Sequence, residues 1–445
     1  MKALATFALA LMAMLASAQE PAQVPAQEPA QVPAQEQEPP KNNEFVFSGQ
    51  LFTRGEWRDG GVAIENNMDD MRAFVQSRLR LTTSYRHKFI DAKVAIQHTG
   101  LWGQTGKGNF NLYEAWLRLQ SKQGLFVKLG RQELVYDDQR IIGNDDWTMA
   151  AQSHDMLKLG LDNPVHKLHL IVAYNQNPTQ GGTFYSNGAE PYKNMQTLWY
   201  HYAAPRFPFE GSLLAMNVGT QHGDESKYDT QYQQLVGAYI KFAPGRWLIE
   251  GSYYRQMGHE ENALPIHAWM ASVKVSNTIS KQWQAYAGYD ILSGDDNFFV
   301  PPKGAIGMAQ KKEVRGFNLL FGSHHQFYGA MDFFYLKAYY GGNTPGLQNL
   351  YGGVTWAPIN PLKFNAAYHY FATHVRVEGY SHSLGHELEL TAAYTPLPSL
   401  KISASYTFMR GTKTMEALKR SDENRRLHWA WLSVSYTPQF VKTRW

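Results

Sequence analysis

From Phe45 onward the chain alternates apolar and polar side chains in runs of about ten residues, the period of two that marks half-buried β-strands. In Phe45 to Arg58 one parity holds Phe45, Phe47, Leu51 and Trp57, and the other holds Ser48, Gln50, Arg54, Glu56 and Arg58. The next run sets Val75, Leu79, Leu81 and Tyr85 against Gln76, Arg78, Arg80, Thr82 and Ser84. Near the C-terminus Leu388, Leu390, Ala392 and Tyr394 oppose Glu387, Glu389 and Thr391, and Ile402, Ala404, Tyr406 and Phe408 oppose Lys401, Ser403, Ser405 and Thr407.

Connection lengths choose between a soluble β-fold and a membrane barrel. The segments Arg86–Lys88, Gln120–Gly124, Asp162–Val165, Ala243–Gly245 and Pro358–Pro361 are short, and those between them are long and polar. Short turns at one rim and long loops at the other are the pattern of an outer-membrane barrel. The 26 Tyr and 12 Trp suit its aromatic girdles. An arginine facing lipid at mid-bilayer costs about 2–4 kcal/mol, so Arg78 and Arg80 must face the lumen and the apolar parity must meet outer-membrane lipid.

Counting alternating runs to Tyr436 predicts an all-β, transmembrane antiparallel β-barrel of 18 strands. A doubtful pair between Lys311 and Ala338 would raise the total to 20. Its alternation is poor, with His324-His325 and Phe333-Phe334 adjacent, so Gly294–Leu347 is read as one long loop folded over or into the mouth. A barrel of this size is wider than its own side chains fill, which predicts a channel unless loops plug it. The last strand is read as Leu427–Tyr436, because Pro438 breaks the alternation before the terminal Trp445.

Met1-Lys2, the apolar run Ala3–Leu15 and Ala16-Ser17-Ala18 form a secretory signal peptide over residues 1–18, with a mature start at Gln19. Such export implies the barrel-assembly machinery as a partner. Residues 19–41 are almost entirely Gln, Pro, Ala and Glu and contain EPAQVPAQ twice, the composition of an extended linker. The barrel is assigned to residues 42–445. The chain has no cysteine, which removes disulfides, thiolate metal sites and a cysteine nucleophile. A formal net charge of +4, spread along the chain, gives no basic patch for nucleic acid.

One stretch departs from plain alternation. LGRQELVYDDQRIIGNDDW, from Leu129 to Trp147, begins as a strand and enters a loop crowded with Asp137, Asp138, Arg140, Asn144, Asp145 and Asp146. Together with Asp155 in SHDMLKL it resembles the signature of the alginate-export family of outer-membrane β-barrels. YDILSGDDN from Tyr289, HHQFYGAMDFF from His324, YHYF from Tyr368 and LGHELELTAAY from Leu384 follow in the same order. The resemblance implies an 18-stranded barrel whose loops occlude a polar pore, with a hydrophilic solute or polysaccharide as its cargo. A polyanionic uronate needs a clearly basic lumen. The inward parities carry Arg54, Arg58, Arg78, Arg80, Lys93, Arg118, Lys363 and Lys401 against Glu56, Asp91, Glu114, Asp290, Glu387 and Glu389, a small excess. A neutral or weakly anionic solute is equally compatible.

The expected pore-lining set is therefore Arg54, Arg78, Arg80, Glu114, Arg118, Arg131, Arg140, Asp155, Asp290, His369, Glu387 and Glu389. Arg131 reads either as a filter cation at a constriction or as half of a structural ion pair. Lys128 and Arg131 lie on opposite parities, so both face inward only if a β-bulge at Gly130 adds a residue; otherwise Lys128 snorkels to the interface. Ser153, His154 and Asp155 are adjacent and point to alternating faces, so they cannot converge as a catalytic triad. The Asp-rich turns at Asp145–Asp146 and Gly294–Asn297 read as turn chemistry before calcium. No phosphate-cradling glycine loop and no HExxH spacing occurs, so neither cofactor nor enzyme activity is expected. The predicted activity is passive passage of solute. The alternative is a non-conducting barrel that displays loops for adhesion or anchors a complex.

Overall fold

The computed structural model describes residues 43–59, 72–104, 106–175, 185, 191–224, 226–296, 300, 312–334 and 344–419, and 426–445. The expected signal peptide and linker lie outside the described residues, as does Asn297. The alternating runs form β1 (Glu44–Asp59), β2 (Arg72–His87), β3 (Ile90–Leu101), β4 (Asn109–Gln120), β5 (Leu125–Gln132) and β6 (His154–Asp162). There follow β7 (His166–Tyr174), β8 (Asn194–Ala203), β9 (Phe209–Gly223), β10 (Tyr228–Phe242), β11 (Trp247–Gly258) and β12 (Ala268–Thr278). The last set is β13 (Trp283–Leu292), β14 (Leu347–Ile359), β15 (Leu362–Ala372), β16 (Ser383–Leu397), β17 (Leu400–Gly411), β18 (Arg426–Tyr436) and β19 (Gln439–Arg444).

Each strand pairs antiparallel with the next, and β1 closes the sheet against β18 and β19. β19 continues β18 around the break at Pro438, so the barrel has 18 strand positions. The expectation that the last strand ends at Tyr436 is thereby corrected. Proline has no N–H to give to a ladder, but its carbonyl oxygen accepts from Gly49 N at 3.0 Å, and pairing to β1 resumes through a register shift at Phe47/Ser48. Asn43 and Trp445 exchange two backbone hydrogen bonds of 2.7 and 3.0 Å, and Phe440 packs on Phe47.

The short connections all fall on one rim. On the opposite rim lie the long loops, apart from the tight Asp224–Lys227 turn. The outward parity exposes a belt that includes Leu51, Leu79, Leu117, Leu129, Leu170, Leu213, Val273 and Leu390. A contiguous apolar belt around a closed sheet fits hydrocarbon, not water.

Two loops turn inward and fill the upper lumen. Residues 133–153 join β5 to β6, and the described part of 293–346 joins β13 to β14, carrying a 3-10 turn at His324–Gln326 in place of a strand pair. The loops bond each other through a parallel bridge between Ile142 and Phe321. Leu134, Ile142, Phe317, Phe321, Tyr328 and Phe333 make an apolar core there with wall residues such as Met195, Met216 and Met270. The helix α1 (Lys413–Lys419) closes part of the same mouth, with its Lys419 buried against Phe333.

Candidate functional site: two loops clamped across the lumen

The Asp-rich loop is folded by its own residue types. Asp137 and Asp145 take left-handed φ values of 52° and 44°, a region that aspartate tolerates better than most side chains. Asp138 accepts from both the backbone N and the Nε of Arg140, at 3.1 and 2.9 Å, which turns the arginine toward the barrel centre.

Arg140 is the hub. Its Nη2 lies 2.8 Å from Asp290 of β13, its Nη1 donates to the Tyr328 hydroxyl at 3.3 Å, and its guanidinium stacks 4.1 Å from the Phe327 ring. Burial opposes its charge, yet Asp290, Tyr328 and Asp138 together hold its pKa well above the ordinary arginine value. From Asp290 the network continues along the wall. Asn349 Nδ2 donates to Asp290 and to the Phe327 carbonyl, each at 3.0 Å. Its Oδ1 is then the acceptor for His369 Nδ1 at 2.9 Å, which fixes the proton on that nitrogen. His369 Nε2 lies 3.4 Å from Glu389. Glu389 and Glu387 in turn accept the backbone N–H groups of Ala330 and Met331 at 2.7 and 3.3 Å. These predicted residues all come together, and they hold the second loop to β13–β16. Beneath them lies a cavity of about 310 Å³ lined by Asp138, Arg140, Glu250, Lys274, His369 and Glu389.

On the other wall, Arg54, Arg78 and Arg80 face inward as their parity requires and seize the first loop. Arg54 pairs with Glu56 at 2.8 Å, donates to the Trp147 carbonyl at 2.9 Å and lies 4.0 Å from the Trp147 ring. Arg78, 1% exposed, pairs with Asp146 at 2.9 Å and donates to the Thr148 carbonyl at 3.1 Å. Arg80 stacks 3.6 Å from the Tyr113 ring and donates twice to Gln97, whose own amide holds the Ala150 carbonyl. Trp147 stacks on His325 of the second loop with centroids 3.9 Å apart.

Arg131 and Asp155 do not line the lumen. Leu125, Val127, Leu129 and Arg131 share the outward parity, and Arg131 pairs with Asp155, directly opposite on β6, at 2.6 Å on the outer surface. Their expected pore-lining role is corrected to an outward ion pair. Gly130 carries φ +117° and leaves no room for a Cβ, which would stand 2.2 Å from the Ala115 carbonyl, but it adds no residue to the register. The bulge sits on β4, where Tyr113 and Glu114 both turn inward. Arg131→Ala is therefore expected to leave conductance and ion preference unchanged in planar bilayers and to cost at most about 1 kcal/mol of stability, since both partners are exposed.

Parity with Arg131 outward sends Lys128 inward, 3.7 Å above the Trp116 ring, instead of snorkelling. It stands in register between Arg118 of β4 and Lys158 of β6, so three cations face one another across adjacent strands of the lumen wall. Arg118 pairs with Asp162 at 3.2 Å, and Glu114 pairs with Lys93 and accepts from the Trp116 indole. Neither Lys128 nor Lys158 has an ion-pair partner among the described residues, although Lys158 donates to the Tyr136 hydroxyl at 3.3 Å. Lys158 was absent from the expected lining; its inward parity in SHDMLKL was the available signal.

Asp137 is pushed up to about 6 by burial, against the lowering effect of its bonds to Ser212 and Trp199. Because the folded pKa lies above the unfolded one, the native state binds the extra proton and gains stability as the pH falls through that value. Asp137→Asn is expected to flatten the rise in heat stability of detergent-folded protein between about pH 6 and pH 4.

His154 bonds the Tyr192 hydroxyl inside while Asp155 points out, so Ser153, His154 and Asp155 do not converge. The Asp295 carboxylate is occupied by the backbone N–H groups of Arg315, Gly316 and Thr344. No group of three His, Asp or Glu side chains among the described residues is arranged to hold a metal ion.

Solved structures share this architecture. OpdL of Pseudomonas aeruginosa superposes with a TM-score of 0.61 at 11% identity, covering 89% of this chain and 99% of its own. OccK2 (OpdF) of the same organism, solved in complex with glucuronate, gives 0.59 at 14% identity with 89% and 98% coverage. OccK5 (OpdH) gives 0.57 at 13% identity with 89% and 99%. At these identities the likeness is one of fold. No match is found among curated protein sequences. The family model described as alginate export matches residues 47–378, more than half of the chain. With its closed 18-stranded wall and its two interlocked loops, the chain belongs to the alginate-export family and is a porin-like outer-membrane barrel.

Proposed function

We propose that the barrel passes a hydrophilic solute bearing an anionic group, by diffusion and without energy input of its own, through the space the two inward loops leave along the wall. The observation that carries this reading is the in-register row Arg118, Lys128 and Lys158. Like charges opposite one another on neighbouring strands are destabilising, and a lumen-facing row of them is suited to a passing carboxylate or similar anion. Glucuronate, with which OccK2 was solved in complex, is a saccharide acid of that class, and OccK2 has the same fold. The split Ser-His-Asp sequence, with His154 bonded inside and Asp155 paired outside, favours passage over turnover.

The test is reversal-potential measurement in planar bilayers under a salt gradient, followed by block with neutral and acidic saccharides. Wild type is expected to prefer anions and to be blocked by uronates at lower concentration than by neutral sugars. Lys128→Glu/Lys158→Glu is expected to invert the preference. Unchanged preference in that variant would remove the row from the pathway. A second reading is favoured by the apolar core between the loops: a closed barrel that presents its loop rim to a partner. Complete absence of single-channel steps from folded protein would select it.

A further inference from the structure

One register row crosses the lumen wall from β10 to β14, with Lys241, Glu250, Lys274, Gly288 and Tyr351 opposite one another in turn. Opposite charges so placed ordinarily attract into a pair. Here they do not. Lys241 turns away to Glu210 at 3.4 Å, Glu250 accepts the Tyr239 hydroxyl at 2.7 Å, and Lys274 lies over the Tyr286 ring at 5.1 Å. Glu250 and Lys274 thus face one cavity, that of about 310 Å³ beneath the loops, and neither has an ion-pair partner among the described residues.

The rest of the lining narrows the ligand. Arg140 already holds Asp138 and Asp290. Glu389 adds a second carboxylate to that of Glu250, which opposes a ligand bearing negative charge alone, and Lys274 opposes one bearing positive charge alone. A sugar ring seeks an open aromatic face, but each tyrosine and phenylalanine ring of the lining already carries a partner. Phe327 has the Arg140 guanidinium at 4.1 Å, Tyr286 has Lys274, and Tyr351 has the His369 ring at 5.3 Å. Glu250, Lys274 and Tyr286 lie within four residues of the turn ends of their strands, so the cavity reaches toward the turn rim, the periplasmic side of such barrels.

We propose that this cavity binds a small zwitterion of the α-amino-acid class, with its carboxylate on Lys274 and its ammonium on Glu250. Such a ligand supplies both side chains with the opposite charge they lack, through charge-assisted hydrogen bonds. The volume lies at the small end of ligand pockets, which run from roughly 300 to 1,000 Å³. The site is in a different sector of the wall from Arg118, Lys128 and Lys158, and it stands whether or not that row conducts.

Isothermal titration of folded protein in a non-ionic detergent tests it with three probes: L-glutamine, 4-carbamoylbutanoate, which lacks the ammonium, and 4-aminobutanamide, which lacks the carboxylate. Wild type is expected to bind L-glutamine at least about tenfold more tightly than either other probe, the scale of one hydrogen bond to a charged group. Lys274→Gln is expected to weaken L-glutamine on the order of tenfold without weakening 4-aminobutanamide. Glu250→Gln is expected to weaken it equally without weakening 4-carbamoylbutanoate. Heat-modifiable gel migration verifies that the variants are folded, and the comparison of probes on wild type needs no variant. Equal affinity of wild type for the three probes, or no binding of L-glutamine, overturns the proposal, as does unchanged L-glutamine affinity in both variants. Glucuronate that binds more tightly than L-glutamine, and loses that binding in Lys274→Gln, assigns a sugar-acid site and overturns the amino-acid assignment. A barrel that passes no current but discriminates the three probes leaves the site standing, so its failure and failure of the channel reading are separable.

Discussion

Arg140→Ala is expected to raise single-channel conductance several-fold and to lower barrel stability by about 3–5 kcal/mol, the cost of leaving one partner of a buried ion pair uncompensated. Arg140 and Asp290 are both fully enclosed, and the arginine is the joint between the first loop, β13 and the second loop. Without it Asp290 keeps only Asn349, and Asp138 loses the side chain it was folded to hold. The cheapest response is for water to enter between the loops and solvate the carboxylates, which opens the lumen. Planar-bilayer recording measures the conductance, and the midpoint of heat unfolding in detergent measures the stability. If stability falls by this amount while conductance stays at the wild-type level, the loops remain seated without Arg140, and their anchorage is the wall arginines instead.

The barrel wall was legible in the sequence because its rule is local. Period-two alternation and the cost of a lipid-facing cation decide the direction of Arg54, Arg78 and Arg80 from their immediate neighbours alone. Arg131 shows where the rule was abandoned too early. The parity of Leu125, Val127 and Leu129 puts it outside, and an inward Arg131 needs either a bulge at Gly130 or a Lys128 that snorkels outward; the real bulge is one strand away at Tyr113–Glu114, where the residue types give no turn signal. The left-handed φ of Gly130 serves close approach to Ala115 instead. The site itself was legible only as an inventory. Asp290, His369, Glu387 and Glu389 stand on inward parities and Arg140 in the charged loop, but their order in one network depends on Ile142 meeting Phe321, a contact between loops about two-fifths of the chain apart. Loop-to-loop pairing has no sequence period to read. Pro438 misled for a similar reason: the break is local, and the recovery of pairing in β19 is supplied by β1 from the far end of the chain.

The second large effect is expected at the opposite anchor. Arg78→Ala removes the ion pair to Asp146 and the donor to the Thr148 carbonyl, while Gln50 loses a partner as well. The destabilisation is expected at about 2–3 kcal/mol, below that of Arg140→Ala, because hydrogen bonds to a charged group are worth roughly 1.5–3 kcal/mol each and Asp146, 43% exposed, can turn to water. The two arginines share no partner but hold one loop, so their effects on stability should sum to less than their separate costs in the double variant. Conductance should not add. Both hold the same loop, 133–153, one at Arg140 and the other at Asp146 and Thr148, and once that loop has left the lumen a second cut gives no further opening. Single-channel recording of Arg78→Ala, Arg140→Ala and the double variant is thus expected to give a common open level, reached for most of the time in Arg140→Ala and flickering in Arg78→Ala, where Arg54 and Arg80 still grip Trp147 and Asp146. Two distinct open levels that sum in the double variant would mean that the loop is not one gate but closes two independent conducting paths in parallel.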